Sequence, residues 1–152
     1  MADSPVQFPE PASRGWPAPA SASDAAYLSY RTDLSPVRAL VLSRARAAGL
    51  PEDRVTDLVL AVSEVAANTL RHTRSAGTLT VWHDADEIVC EVHDAGIITD
   101  PRAGQVKPGL DAPGGHGLWL VNQVCDRVEL TSGADGTTVR MRMTLPPARA
   151  RG

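Results

Sequence analysis

"VTDLVLAVSEVAANTLRH", Val55 to His72, carries two patterns on one stretch. Val55, Leu58, Val59, Val62, Val65, Ala66 and Thr69 recur at helical spacing and predict an amphipathic helix. Beside that apolar stripe, Glu64, Asn68 and His72 follow at steps of four, each step turning the face by about 40°. An acid, an amide and an imidazole thus form a slowly turning row that can meet one ligand. Taken alone, such a row is more often the polar flank of a packed helix. The rest of the chain has to decide.

Pro51 opens this helix, and Glu52 and Asp53 fall in its first turn, where the dipole favours anions. Before it, Ser35-Pro36 offers an N-cap hydroxyl and a proline at the first helical position, and Gly49 closes the run. A first helix over Pro36 to Ala48 follows, and Ala25 to Asp33 reads as a first strand. On the other side, Thr78 to Asp84 and Glu87 to Asp94, split by Ala85-Asp86, predict an antiparallel hairpin. Ile88, Cys90 and Val92 share one face of its second strand, and the period of two places Asp94 at the end of that apolar row. A Gly- and Pro-rich loop without periodicity, Ile97 to His116, is long enough to be functional. A third helix from Gly117 to about Arg127 precedes a last hairpin turning at Gly133 to Gly136, with Val139, Met141, Met143 and Leu145 inward and Arg140 and Arg142 outward. The order β-α-α-β-β-loop-α-β-β predicts an α+β, two-layer sandwich: a mixed, mostly antiparallel sheet with helices on one face.

Composition narrows the function. At 152 residues and 43% hydrophobic content the chain suits one domain. Met1 to Asp24, rich in Pro, Ala and Ser, buries too little apolar area to order itself and is expected to be a disordered arm. The domain should therefore run over 25–147, with a short basic tail at 148–152. Fifteen basic residues against 18 acidic give a net charge of −3, and no basic stripe is interleaved with aromatics, so nucleic acid is not the expected partner. Cys90 and Cys125 sit inside regular runs and read as inert core thiols in a reducing compartment. Without an apolar run near about 18 residues or a leader pattern, neither a membrane nor export is expected, which leaves the cytoplasm. His72, His83, His93, His116 and the cysteines have no zinc-ligand spacing.

Three further pieces bear on the row. Asp94-Ala95-Gly96 ends a buried strand with a carboxylate on the core side; it needs a hydrogen-bond donor there, and an amino-purine edge would serve, although a turn-forming Asp-x-Gly is common. "PGGHGLWLV" sets Gly114, Gly115 and Gly117 ahead of a helix, where free N–H groups can hold phosphate, or else form an ordinary flexible loop and cap. "DGTTVRM" puts Thr137 on the helix side of the last strand by parity, and Thr138 on the other; a hairpin can also begin this way for turn chemistry alone.

Each signal is weak, but acid-x3-Asn-x3-His, Asp-x-Gly after a strand, Gly-Gly-x-Gly-Leu at a helix start and Gly-Thr-Thr leading the last strand occur in that order. The combination resembles the GHKL ATP-binding superfamily, which includes gyrase and the histidine kinases, and within it the small anti-sigma-factor serine/threonine kinases. The resemblance covers about Ala25 to Leu145. It implies ATP and Mg²⁺ as cofactors and the GHKL, or Bergerat, fold. Asn68 would help hold the metal against the phosphates, and Glu64 would be the catalytic base. Asp94 would accept from the adenine amino group, Gly96 would flank the ring, and Thr137 would support the Asp94 contact. Gly115, Gly117 and Leu118 would line the phosphates under a lid, Ile97 to His116, with His72 near the phosphate end. The implied partners are a sigma factor and an antagonist protein that becomes phosphorylated on Ser; a homodimer stays open. The alternative is a non-catalytic ATP-binding regulatory module of the same fold, since Ile98 stands where the family often places a lid glycine.

Overall fold

The computed structural model describes residues 25–72, 76–94 and 116–147, with the side chains of 69–72, 116 and 117 outside that description. The arm from Met1 to Asp24, the loop from Ile97 to Gly115 and the tail from Ala148 therefore lie outside the described residues. Within them the chain forms β1 (Ala26–Tyr30), α1 (Ser35–Ala48), α2 (Glu52–His72), β2 (Gly77–His83), β3 (Glu87–Asp94), α3 (His116–Val124), β4 (Arg127–Gly133) and β5 (Gly136–Thr144). The strands form one sheet in the order β1-β2-β3-β5-β4. Every neighbouring pair is antiparallel. The expected two-layer α+β sandwich is present, with a sheet that is antiparallel throughout the described residues. The reason is local: β2-β3 and β4-β5 are tight hairpins laid side by side, and β1 returns along the free edge of the first.

Hydrophobic periodicity places the helices well, and their ends show where local chemistry differs from the simplest reading. Helix α1 starts at Ser35, but the N-cap position belongs to Leu34, which makes no side-chain cap bond. Asp33 takes over: its Oδ1 accepts from the Ser35 N–H at 2.9 Å, and that backbone bond is the main reason its carboxyl lies below the usual carboxylate range. Ser35 is thus inside the first turn instead of capping it. Gly49 closes the helix in the left-handed region, φ 94°, and the Leu50 N–H donates back to the Ala45 carbonyl at 3.1 Å, satisfying a carbonyl the helix end would otherwise expose.

A single core fills the space between helices and sheet. Val37, Val41, Leu58, Val62, Leu79, Val81, Ile88, Cys90, Val121 and Met141 meet in it. Both cysteines are free and buried. Burial pushes the Cys90 thiol up, and Cys125 is pushed up to about 12, so both stay protonated at neutral pH as expected of core thiols. At the β1-β2 edge the packing leaves no slack. Gly77 pairs with Tyr30, and a Cβ at Gly77 would lie 2.3 Å from the Tyr30 phenol oxygen and 2.4 Å from its Cζ. Gly77→Ala is therefore expected to destabilise the protein by about 2 kcal/mol through overpacking. Urea unfolding checks this, and an unchanged midpoint would mean that the Tyr30 ring moves aside freely.

The outer face of the sheet departs from expectation. Parity correctly directs Arg140 and Arg142 away from the helices, yet neither is solvated: Arg140 is 0% exposed and Arg142 6%. The Arg140 Nη2 donates to Glu91 Oε1 at 2.8 Å, and its guanidinium stands 5.1 Å from the centre of the Trp82 ring. Arg142 donates to Glu87 and, at 2.9 Å, to Glu129 Oε1. Each cation pairs with a carboxylate on a neighbouring strand, so this face is a network of ion pairs between β3, β4 and β5 instead of a layer of hydrated side chains. Burial holds the Arg140 guanidinium below its ordinary pKa, with Glu91 opposing that shift.

Candidate functional site

Four elements bring the predicted residues to one end of the sheet. Residue Thr78, near the start of β2, pairs with His93 of β3, so β2 begins beside the end of β3 that carries Asp94. Helix α2 ends at His72, only a few residues before β2. Its C-terminal half, with Glu64 and Asn68, therefore comes down at the Asp94 end. Val55, Leu58, Ala61, Val62, Val65 and Ala66 are its buried face. Glu64 and Asn68 are half-buried on its flank, which is the slowly turning row expected of them. Position His72 belongs to the same helix, but its side chain is outside the described residues.

Helix α3 is set against this row by an anchor at its far end. Arg54, in the first turn of α2, donates from Nη1 to the Val124 carbonyl at 2.9 Å and from Nη2 to Asp126 Oδ1 at 3.0 Å. Asp126 Oδ2 in turn accepts from the Thr144 N–H at 2.7 Å. The end of α3 is thus fixed beside the start of α2. Helix α3 packs against α2, and at about 1.5 Å per residue its first turn lies about 12 Å from that anchor. That turn contains Gly117 and Leu118. Leu118 is half-buried and packs against the core. Gly96 and Gly115 lie outside the described residues.

The third contribution is a polar row across the strand ends. Asp94 pairs directly with Thr137, and Thr137 pairs with Ser132 on its other side. All three are on the face that also carries Val92, Val139 and Leu130. Thr137 is 3% exposed and Ser132 0%, and their hydroxyls lie 2.8 Å apart. Ser132 is a residue the sequence reading did not single out. Counting back from the two-residue turn at Ala134-Asp135 would have found it, because Gly133 pairs with Gly136 and the next rung must be Ser132 with Thr137. Thr138 looks to the opposite face, as parity requires, and its hydroxyl meets His93 Nδ1 at 2.8 Å.

Chemically, this end offers a half-buried carboxylate beside a hydroxyl on the sheet, and a carboxylate and an amide on the helix flank above it. The first pair suits a flat heterocycle bearing an amino group. The second suits a polyanion with a hard cation. Among the described residues no group of three or more His, Cys, Asp or Glu could hold a metal ion. A cation held here mainly by phosphate oxygens and water would be bound as Mg²⁺ is with nucleotides. An amide oxygen from Asn68 fits as its protein ligand. No helix among the described residues is long and apolar enough to cross a membrane.

Comparison with known proteins matches residues 29–143 to the histidine kinase-like ATPase domain. That span includes every residue of the proposed site and all but the first few residues of β1 and the last of β5. No curated protein matches the chain.

Proposed function

Because the chain belongs to the histidine kinase-like ATPase domain family, an ATP-binding unit, we propose that it is an anti-sigma-factor serine/threonine kinase. It binds ATP between α2 and the Asp94 end of the sheet, sequesters a sigma factor and phosphorylates an antagonist protein on Ser. The observation that carries the reading is the coincidence, at one end of the fold, of the Asp94–Thr137 rung with the Glu64–Asn68 flank. Asp94 accepts from the adenine amino group, and Thr137 supports that contact. Asn68 would hold Mg²⁺ against the phosphates through its amide oxygen, and the metal would supply charge stabilisation during transfer. Gly115, Gly117 and Leu118 line the phosphate tail from the start of α3, with Gly96 at the ring and His72 toward the phosphates.

Transfer then needs little covalent chemistry from the protein. Glu64 takes the proton of the attacking serine hydroxyl; a bond forms between that oxygen and the γ-phosphorus, and the bond to the β-γ bridging oxygen breaks to release ADP. A sigma factor as partner places this work in the cytoplasm. Titration calorimetry with Mg-ATP tests the pocket. Wild type is expected to bind, and Asp94→Asn to bind at least about tenfold more weakly, since one charge-assisted hydrogen bond is lost. Equal affinities would remove Asp94 from the adenine contact. The second reading, an ATP-binding regulator without transfer, rests on Ile98 in place of a lid glycine. It is the reading to adopt if ATP raises the melting temperature while no antagonist serine becomes labelled.

A further inference from the structure

Ser132 has no part in the reading given above, yet it is fully buried, polar, and hydrogen-bonded to a residue that has one. Its hydroxyl lies 2.8 Å from that of Thr137, and the rung order Ser132, Thr137, Asp94 runs unbroken across β4, β5 and β3. Directly opposed side chains on an antiparallel sheet have Cβ atoms about 5 Å apart. Thr137 therefore stands between a hydroxyl on one side and a carboxylate on the other. A threonine hydroxyl has a single proton and can rotate it among its neighbours. If that proton pointed to Ser132, none would be left for the Asp94 side.

We propose that Ser132 is a positioning residue for purine recognition, donating its proton to Thr137 so that the Thr137 hydroxyl is directed toward Asp94 and the amino-purine edge. The proposal rests on the ATP-binding reading of this end of the sheet. Burial strengthens the device, because water does not compete for the Ser132 hydroxyl and a mis-set hydroxyl beside a carboxylate is disfavoured most where solvent is excluded. Ser132 touches no ligand itself and acts only through Thr137.

The test is a double-mutant cycle on full-length protein, with Mg-ATP affinity by calorimetry and melting temperature recorded for each variant. Ser132→Ala is expected to weaken ATP binding about fivefold, the scale of one hydrogen bond. Thr137→Val should weaken it at least as much, and the double variant no further than Thr137→Val alone. Ser132→Thr, which keeps the hydroxyl, should restore most of the affinity, and purine riboside triphosphate, which lacks the amino group, should lose less than ATP from Ser132→Ala. A merely structural serine would lower the melting temperature and weaken both nucleotides alike, and that result overturns the proposal. So does multiplication of the two single losses, or wild-type affinity in Ser132→Ala. Should wild type itself bind no adenine nucleotide, the ATP-binding reading fails, and this inference with it. If Ser132→Ala does not fold, Ser132→Cys, a weaker donor of similar shape, takes its place: it should lose more affinity for ATP than for purine riboside triphosphate, and equal losses count against the proposal.

Discussion

Replacing Glu91 with alanine is expected to destabilise the fold by about 3 kcal/mol, although Glu91 lies on the sheet face away from the helices. The reason is its partner. Arg140 has a side chain only 1% exposed, paired to Glu91 at 2.8 Å. Removing the carboxylate takes the paired charge from a buried cation that faces Trp82 and lies near Arg142. Loss of one member of a buried pair is far more damaging than loss of both, because the pair's attraction roughly cancels the desolvation of its two charges. Glu91→Leu combined with Arg140→Met should accordingly unfold within about 1 kcal/mol of wild type. Chemical denaturation of the single and double variants measures both. A single variant as stable as the double would show that Arg140 is not held by this charge.

The other large effect concerns chemistry. Glu64→Ala is expected to lower phosphate transfer to the antagonist serine by roughly 10²- to 10⁴-fold, the usual worth of a positioned general base. Affinity for Mg-ATP should change little, because in the proposed mechanism Glu64 acts on the incoming hydroxyl and not on the nucleotide. Glu64 is half-buried on α2, one turn from Asn68, the residue proposed to hold the metal at the phosphates. Labelled-phosphate transfer and ATP titration on the same preparation separate the two quantities. Parallel loss of transfer and binding would assign Glu64 to nucleotide holding and take the base role from it.

Most of the fold is legible in the sequence wherever burial enforces a period. The row from Val55 to Ala66 gives α2, the alternation in β3 gives the side on which Asp94 emerges, and parity from Gly136 gives the opposite directions of Thr137 and Thr138. The misreadings occur where neighbours in space decide. Asp33 caps α1 in place of Ser35 because the chain entering the helix brings that carboxylate onto the first N–H. Arg140 and Arg142 read as outward, which is right in direction, but no pattern in one strand reveals that Glu91, Glu87 and Glu129 wait on the strands beside it. The candidate site shows the same division. Single residues such as Glu64 and Asp94 could be picked out from spacing, whereas Ser132 gains meaning only from a rung joining two strands.

The three hydrogen bonds that tie Val124 and Asp126 to Arg54 and Thr144 also limit how α3 can respond to whatever arrives at its other end. A rigid helix of nine residues, about 13 Å long, held at its tail behaves as a lever with a fixed fulcrum: it can tilt but it cannot slide. Small adjustments at His116 and Gly117 would therefore fan out as rotation against α2, greatest at the first turn of α3 and vanishing at Val124.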